Sequence, residues 1–347
     1  MINKIRIKDI ADKAGVSIGT VDRVLHNRGE VSEKTKEKIL SIIEEYDYHP
    51  NIMAQALTSK KKYVFACLIP KADLENSYWE QPLKGILEAE KKLKVYNVKI
   101  EKFFFNQNSK DEFSIQFENI IKIKPQAVLL APVFEKEAQN YSKILFENNI
   151  PFVFINSDIK NNDRLCFVGQ DDFQSGMLAG KLASINLTEK DSVLIVNITR
   201  NYKNKIHYVN RNKGFLHYFK DKPIKTMQLE LNDNLIENFS TIIKENPTIR
   251  SIFVSNSKVY KVADVLQKIN LKHILLIGYD LIYENIRCLK AEYIDFLISQ
   301  NSIDQGYKGI RYLFDSIVKK EDVKKEDLMP IMIITKENLP YYKSGLS

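Results

Sequence analysis

A chain of 347 residues, 44% hydrophobic and 28% charged, is long enough for more than one domain and too apolar to be disordered. No run approaches the roughly 18 uninterrupted apolar residues of a membrane-spanning helix, and the start, MINKIRIKDIADKAG, lacks the apolar region of a secretory leader, so a cytoplasmic protein without membrane contact is expected. The net charge is +8, of which the first 62 residues hold +3 (12 Lys/Arg against 9 Asp/Glu), an excess that suits a polyanionic partner without requiring one. Cys67, Cys166 and Cys288 form no CxxC pair and read as buried apolar residues in a reducing compartment.

The first 50 residues carry apolar positions at spacings of three and four, which predicts helices. The first runs from Ile7 to Ala14, with Ile10, Ala11 and Ala14 on one face, and Gly15 permits a sharp turn after it. Ser17 is a good cap for a second helix, Ile18 to Leu25, whose inner side is Val21, Val24 and Leu25. Ser32 caps a third, EKTKEKILSIIEEY, with Ile39, Ile42, Ile43 and Tyr46 expected to face inward. Two short helices joined by a tight turn and braced by a third make a helix-turn-helix. In that arrangement the second helix lies in the DNA major groove and offers Ile18, Gly19, Asp22 and Arg23 to base edges. Ser17, Thr20 and the free backbone N–H groups at the helix start suit phosphate oxygens, with His26, Asn27 and Arg28 as further contacts. The same spacing is also that of an accessory three-helix bundle without DNA.

From residue 63 onward short apolar runs alternate with amphipathic stretches. The runs are YVFACLIP, VKIEKFFF, AVLLAPV, PFVFINSD, SVLIVNIT, SIFVSNS, ILLIGYD, IDFLISQ and IMIITKE, and helices such as PLKGILEAEKKL and KEAQNYSKILFENN lie between them. Strands alternating with helices predict βαβ units and buried parallel sheet, here enough for two similar lobes. Such sheets bind ligands at the carboxyl ends of their strands. Asn156, Arg200, Asn256, Asp280 and Gln300 each follow a run and fall at that level.

The segment IKDIADKAGVSIGTVDRVLHNRGEVSEKTKEKILSIIEEYDYHPNIMAQALTSKK resembles, almost residue for residue, the N-terminal module of LacI/GalR transcriptional regulators. The resemblance implies a DNA-binding domain over residues 1–50 and a hinge over 51–62 that becomes helical on operator DNA. Asn51 opens that hinge. Leu57 matches the leucine that wedges between base pairs in the minor groove, where unstacking a step costs a few kcal/mol. It also implies a homodimer on pseudo-palindromic double-stranded operator DNA; no heptads trail the last strand, so no tetramerising coiled coil is expected. Asp22 departs from the family, many of whose members carry Ser there. An acid can accept from cytosine N4 but cannot help hold phosphate.

The remainder, residues 63–347, resembles the family's effector module, a two-lobed, doubly wound parallel-sheet domain of the periplasmic-binding-protein type I kind, and most closely the ribose-type binding proteins. The implied lobes are about 63–170 with 301–329, and 171–300 with 330–347. Tyr78 and Trp79 fall at the paired-aromatic positions of the first ligand-facing loop, where ring faces stack on a sugar. Asn156 stands where relatives often have Asp, Arg211 at the family's arginine, and Asn256 at the asparagine of an Asn-Asp pair whose acid is here Ser257. Asp280 and Gln300 complete the set, because amides, carboxylates and guanidinium pair well with vicinal hydroxyls. Asn156-Ser157 replaces the Asp-Arg pair of a ribose-like site, so the identity of a monosaccharide effector stays open, and a nucleobase or phosphorylated metabolite is an alternative. Asp171 and Asp172 are either lobe-crossover structure or ligand contacts, and structure is the expected role. No catalytic residue, metal or cofactor is expected. GMLAGKLAS has one residue too few between Gly176 and Gly180 for a phosphate loop and Leu182 where Ser or Thr is required, the five histidines lack metal-ligand spacing, and no GxSxG is present. The expected function is a sequence-specific DNA-binding repressor controlled by a small sugar, with a sugar receptor lacking DNA function as the more remote alternative.

Overall fold

The computed structural model describes residues 5–25, 28–46, 48, 61–73, 77–159, 163–185, 187–198, 206–231 and 239–342. The chain divides into two compact units, Met1–Lys61 and Lys62–Ser347.

In the first unit α1 (Ile7–Ala14), α2 (Ile18–Leu25) and α3 (Glu33–Glu45) enclose a small core of Ile10, Ala11, Ala14, Val21, Val24, Ile39 and Ile42. Local chemistry sets each boundary. The Arg6 N–H donates to Asp9 Oδ2 at 2.9 Å to start α1, and Gly15 ends it at φ 72°. Ser17 Oγ accepts from the Thr20 N–H at 3.1 Å, and Ser32 Oγ from the Thr35 N–H at 3.4 Å, supplying acceptors to helix starts that lack them. Lys38 Nζ reaches back to the Ala14 carbonyl at 3.0 Å and ties α3 to the end of α1. Tyr46 does not face inward as its spacing predicts: it is 41% exposed, because α3 ends at Glu45 and the ring projects past the packed face. There its hydroxyl accepts from Lys13 Nζ at 3.0 Å.

The second unit holds two six-stranded sheets. The first has the order β11-β5-β4-β3-β1-β2, from β1 (Tyr63–Pro70), β2 (Val98–Phe105), β3 (Ala127–Leu130), β4 (Phe152–Asn156), β5 (Cys166–Gly169) and β11 (Glu326–Leu328). The second repeats it as β12-β10-β9-β8-β6-β7, from β6 (Ser192–Ile198), β7 (Lys225–Leu231), β8 (Ile249–Val254), β9 (Leu275–Tyr279), β10 (Phe296–Ser299) and β12 (Met332–Ile334). All pairings are parallel except β10 with β12, so the second sheet carries one antiparallel edge that a purely parallel expectation misses.

Both faces of each sheet are covered, and the period of two along a strand shows it directly. Phe65, Cys67 and Ile69 of β1 enter one cluster beneath α4 (Glu80–Leu93) and α12 (Ser302–Phe314). Ala66 and Leu68 enter the opposite cluster with α5 (Lys110–Lys122) and α6 (Glu135–Glu147). In the second lobe Leu194, Val196 and Ile198 of β6 face α9 (Phe239–Glu245), α10 (Val259–Lys268) and α11 (Tyr283–Lys290). Val193 and Ile195 face α7 (Asp172–Ala183) and α8 (Ile206–Phe219). The three cysteines are buried free thiols.

The chain passes between the lobes after β5, after β10 and between β11 and β12, and hydrogen bonds tie these passes together. Gln170 Nε2 donates to the Ser299 and Pro330 carbonyls at 3.1 and 3.0 Å, and Asn301 Nδ2 to the Pro330 carbonyl at 3.1 Å.

The glycines of GMLAGKLAS serve packing. A methyl group at Gly176 would overlap the Arg211 carbonyl, and one at Gly214 the Phe173 carbonyl, so α7 and α8 approach backbone to backbone. Gly176→Ala is therefore expected to destabilise the protein by about 3 kcal/mol, at the upper end of overpacking costs, and to displace Arg211 with α8. Chemical denaturation checks it; an unchanged midpoint would show that the helices part without strain.

Candidate functional site

Ser17, Ile18, Gly19, Arg23 and Arg28 are exposed on the first unit, while Thr20 and Asp22 are half-buried. Ile18, at 46% exposure, is a large apolar side chain at the start of α2 that packs in no core. An apolar group there matches a thymine methyl in a major groove. Ser17 Oγ lies 3.0 Å from Thr20 Oγ1, so the two hydroxyls are held together at the end of the helix that favours anions. His26, Asn27, Asn51 and Leu57 lie outside the described residues, as does Arg200.

In the second unit Tyr78, Asn156, Arg211, Asp280 and Gln300 meet between the lobes. Asn156 ends β4 and Asp280 follows β9, strands that hold the same place in the two sheets, and both residues hold left-handed backbone at φ 69° and 73°. Non-glycine residues pay for that conformation, and they concentrate where a chain must turn a polar group to a particular place. Asn285 secures the second of these turns by donating from Nδ2 to the Tyr279 and Asp280 carbonyls at 2.8 and 3.1 Å.

One hydrogen-bond chain links the set. Asn156 Nδ2 donates to the Tyr78 hydroxyl at 2.6 Å, and the Asn156 N–H donates to Gln305 Oε1 at 3.0 Å. Gln305 Nε2 donates to the Gln300 carbonyl at 2.8 Å. Gln300 Nε2 donates to both oxygens of Asp280 at 2.9 and 3.0 Å, while its Oε1 accepts from Arg211 Nη2 at 2.5 Å. Arg211 Nε donates to Asp172 Oδ1 at 2.9 Å, Nη1 to the Ser255 carbonyl at 3.1 Å, and the guanidinium lies 4.0 Å from the centre of the Tyr279 ring. Ser157 Oγ and His207 Nδ1, 3.0 Å apart, add a second contact from one lobe to the other.

Burial governs the charges here. It drives the Asp280 carboxyl up to about 7 against the opposing pull of Arg211 and the Gln300 hydrogen bonds. Asp172 is likewise pushed up to about 6, with Arg211 again opposing. Burial works against the Arg211 charge, but Asp172, Tyr279 and Asp280 together outweigh it and raise its pKa. Burial also raises Tyr78 well above the ordinary tyrosine range, which keeps it a neutral hydroxyl able to donate and accept.

The remaining expected residues are placed differently. Trp79 is 4% exposed and joins the apolar cluster that includes Ile69, Ala131 and Ile282, its ring edge-on to Tyr78 at 5.1 Å. Asn256 donates to the Ile198 carbonyl at 3.1 Å, accepts from the Lys258 N–H at 3.0 Å, and also hydrogen-bonds the side chain of Tyr208, which lies within electrostatic reach of Arg211 and Asp280. Asp171 caps α7 by accepting from the Gln174 N–H at 2.9 Å, whereas its neighbour Asp172 turns to Arg211. Of the lysines near Arg211 in sequence that could serve an anionic effector, Lys213 is exposed on α8 while Arg211 is buried, and Lys203 and Lys205 lie outside the described residues. Gln305, Asn285 and His207 are members that the sequence does not single out as site residues, and Asp172, expected to be structural, pairs with Arg211. Among the described residues no three His, Cys, Asp or Glu side chains gather into a metal site.

Comparison with known proteins matches both units. The model for bacterial regulatory proteins of the lacI family matches residues 6–51, and that for a periplasmic binding protein domain matches residues 65–321. The HTH-type transcriptional regulator DegA of Bacillus subtilis is 41% identical over 85 residues, so the match spans 24% of this chain and only 25% of that relative. The ribose operon repressor of Lactococcus lactis is 24% identical over 363 residues, covering 96% of this chain and 97% of the relative. A crystal structure described as a LacI transcriptional regulator from Bacteroides fragilis has a TM-score of 0.76 and 31% identity, over 82% of this chain and 100% of that one.

Proposed function

The chain belongs to the lacI family of bacterial regulatory proteins, and on that premise we propose that it is a DNA-binding repressor whose operator affinity is set by a small neutral sugar held between its lobes. Two copies place two α2 helices on the half-sites of a pseudo-palindromic operator, and the protein works where the DNA is, in the cytoplasm. It turns over no substrate and needs no cofactor. The single observation that carries the effector half is the chain Tyr78–Asn156–Gln305–Gln300–Asp280/Arg211, which joins residues of both lobes at the carboxyl ends of their strands. A ligand that satisfies groups on both lobes favours one lobe arrangement, and it shifts DNA affinity only by its differential affinity for the two states.

The charge pattern favours a neutral ligand over a phosphorylated one. Three of the five Arg211 N–H donors are already committed to Asp172, Ser255 and Gln300. Lys213 is exposed, and among the described residues of the cleft two buried carboxyl groups, Asp172 and Asp280, flank the buried Arg211. Hydroxyl groups can use the acceptors of Asp280 and Asn156 and the two remaining arginine donors without bringing in a charge.

Trp79, the one tryptophan of the chain, lies beside Tyr78 and gives a direct test. Its emission is followed while pentoses, hexoses, uronic acids, sugar phosphates and purines are titrated, and operator binding is measured with the compound that saturates. Saturation by a neutral sugar that changes operator affinity supports the proposal; saturation only by a phosphate ester or a purine overturns the effector half and leaves the DNA half standing.

Leu57→Ala is expected to weaken specific operator binding by ten- to a hundredfold and non-specific binding by less than threefold, since a wedge acts only where bases are unstacked. Fluorescence anisotropy with operator and scrambled duplexes checks it, and equal losses on both duplexes would remove the wedge role.

A further inference from the structure

The second lobe brings a tyrosine of its own to the effector site, and three contacts place it. Tyr208 lies in the first turn of α8, three residues before Arg211 and so on the same side of that helix. Its hydroxyl meets the side-chain amide of Asn256, which stands just past β8 at the carboxyl end of the sheet. Its ring packs against the imidazole of His207, with centres 4.0 Å apart and planes at 64°, and His207 Nδ1 lies 3.0 Å from Ser157 Oγ of the first lobe. Tyr208 therefore stands between the strand ends of its own lobe and a point where the two lobes touch.

Access separates Tyr208 from its neighbours. Asn156, Arg211, Asn256, Asp280 and Gln300 are buried, whereas Tyr208 is half-buried and keeps part of its surface open to a solute. The charges of Arg211 and Asp280 act on it as they act on Tyr78 from the other lobe, so both phenols approach the same two charged groups. Burial pushes the Tyr208 hydroxyl up to about 12, with Arg211 and Asn256 opposing, and the group stays neutral at physiological pH.

The bonds of Asn256 decide what Tyr208 can offer. The amide oxygen accepts from the Lys258 N–H at 3.0 Å, and Nδ2 gives one hydrogen to the Ile198 carbonyl at 3.1 Å, which leaves the second hydrogen of Nδ2 for the phenol oxygen. Donation in that sense favours the ionised phenol, in keeping with the downward pull of Asn256 on Tyr208. A phenol that accepts from an amide has its own proton left to donate. It calls for an acceptor oxygen, which a sugar hydroxyl supplies and a ring C–H does not.

Resting on the sugar-effector reading, we propose that Tyr208 is a specificity-determining residue of the effector site, which donates its hydroxyl proton to one hydroxyl oxygen of the bound sugar. A sugar lacking that one hydroxyl leaves the phenol without an acceptor in a closed cleft, and a site built this way rejects the deoxy analogue far more strongly than an apolar wall would.

Isothermal titration of the full-length protein with neutral pentoses and hexoses, followed by each monodeoxy derivative of the sugar that binds, tests this. Removal of one particular hydroxyl is expected to weaken binding to the native protein at least tenfold. Tyr208→Phe should weaken the parent sugar by a similar factor, bind that one deoxy sugar within twofold of the native protein, and weaken the other derivatives as it weakens the parent. The substitution keeps the ring and its contact with His207, and thermal melts confirm the fold. Equal losses on the parent and on every deoxy derivative would make Tyr208 a structural support and overturn the proposal, as would an unchanged affinity for the parent. If no sugar binds to folded native protein, the effector reading itself fails, and the role of Tyr208 with it.

Discussion

Arg211→Ala is expected to abolish the response to effector and to cost about 3–5 kcal/mol of stability, while the ability to bind operator without effector is retained. The stability loss follows from what the side chain leaves behind. Arg211 is 1% exposed, and its removal leaves buried Asp172 without its ion-pair partner and Gln300 without its donor. Breaking a buried pair from one side costs this much because the surviving charge has no solvent to receive it. The two losses can be separated. Asp172→Asn removes the stranded charge, so the double variant Arg211→Ala/Asp172→Asn should recover a large part of the stability without recovering the effector response. Urea denaturation reads the first quantity and effector titration of operator binding reads the second. A double variant that regains both would reduce Arg211 to a structural counter-ion; an unchanged dose–response in the single variant would remove it from the site.

Much of the fold was legible because buried parallel strands are continuous apolar runs, and those are hard to mistake. β1, β3, β4, β6, β8, β9 and β10 each coincide with such a run. The strands that escaped lack the signal for physical reasons. β7 is an edge strand, and KTMQLEL alternates polar and apolar residues along a half-solvated surface. β5 has only four residues, and β11 is the tripeptide Glu326–Leu328, paired in register with Phe167–Gly169. The three head helices were legible from periodicity and capping serines, with the error at Tyr46, one residue beyond the packed turn.

The site divides the same way. Asn156 ends a strand and Asp280 and Gln300 follow strands, so their position is implied by the rule that ligands bind at carboxyl ends of parallel sheets. Gln305, Asp172 and Asn285 lie on helices and reach the site through tertiary contacts that no local spacing encodes. Faint signals existed. Of two successive aspartates before α7, one suffices for the cap, which leaves Asp172 for other work. Gln305 stands next to Gly306 on the buried face of α12, where a glutamine must find partners inside the protein.

Asp280 gives the second large effect, and its sign is fixed by burial. Its carboxyl is pushed from the ordinary 3.8 up to about 7 by desolvation, opposed by Arg211 and Gln300. Between those two values the folded protein holds a proton that the unfolded chain has released, so stability contributed by this group is fully present below pH 4 and falls as pH rises to about 7. The upper limit of the change is ~4 kcal/mol, from roughly three units at 1.36 kcal/mol each; Asp172, raised to about 6, adds a loss in the same direction over a narrower window. Above pH 8 this contribution is constant, and Asp280→Asn should remove the larger part of the slope between pH 4 and 7. Effector binding has the opposite dependence. A sugar hydroxyl that donates to Asp280 needs the ionised carboxylate, so binding below pH 7 must release a proton, and affinity should rise by up to tenfold per pH unit from 6 to 7 before levelling off. Of the other charged neighbours, Arg211 stays ionised throughout, while Asp172, only half-ionised near pH 6, completes its own titration within the same window, so the comparison with Asp280→Asn separates the two carboxyl groups. Calorimetric titration at pH 6, 7 and 8, in two buffers of different ionisation enthalpy, measures both the affinity and the proton released. An affinity that falls with pH would mean that Asp280 donates to the ligand as a neutral acid, and a flat profile in both native protein and Asp280→Asn would place the effector out of reach of this carboxyl group.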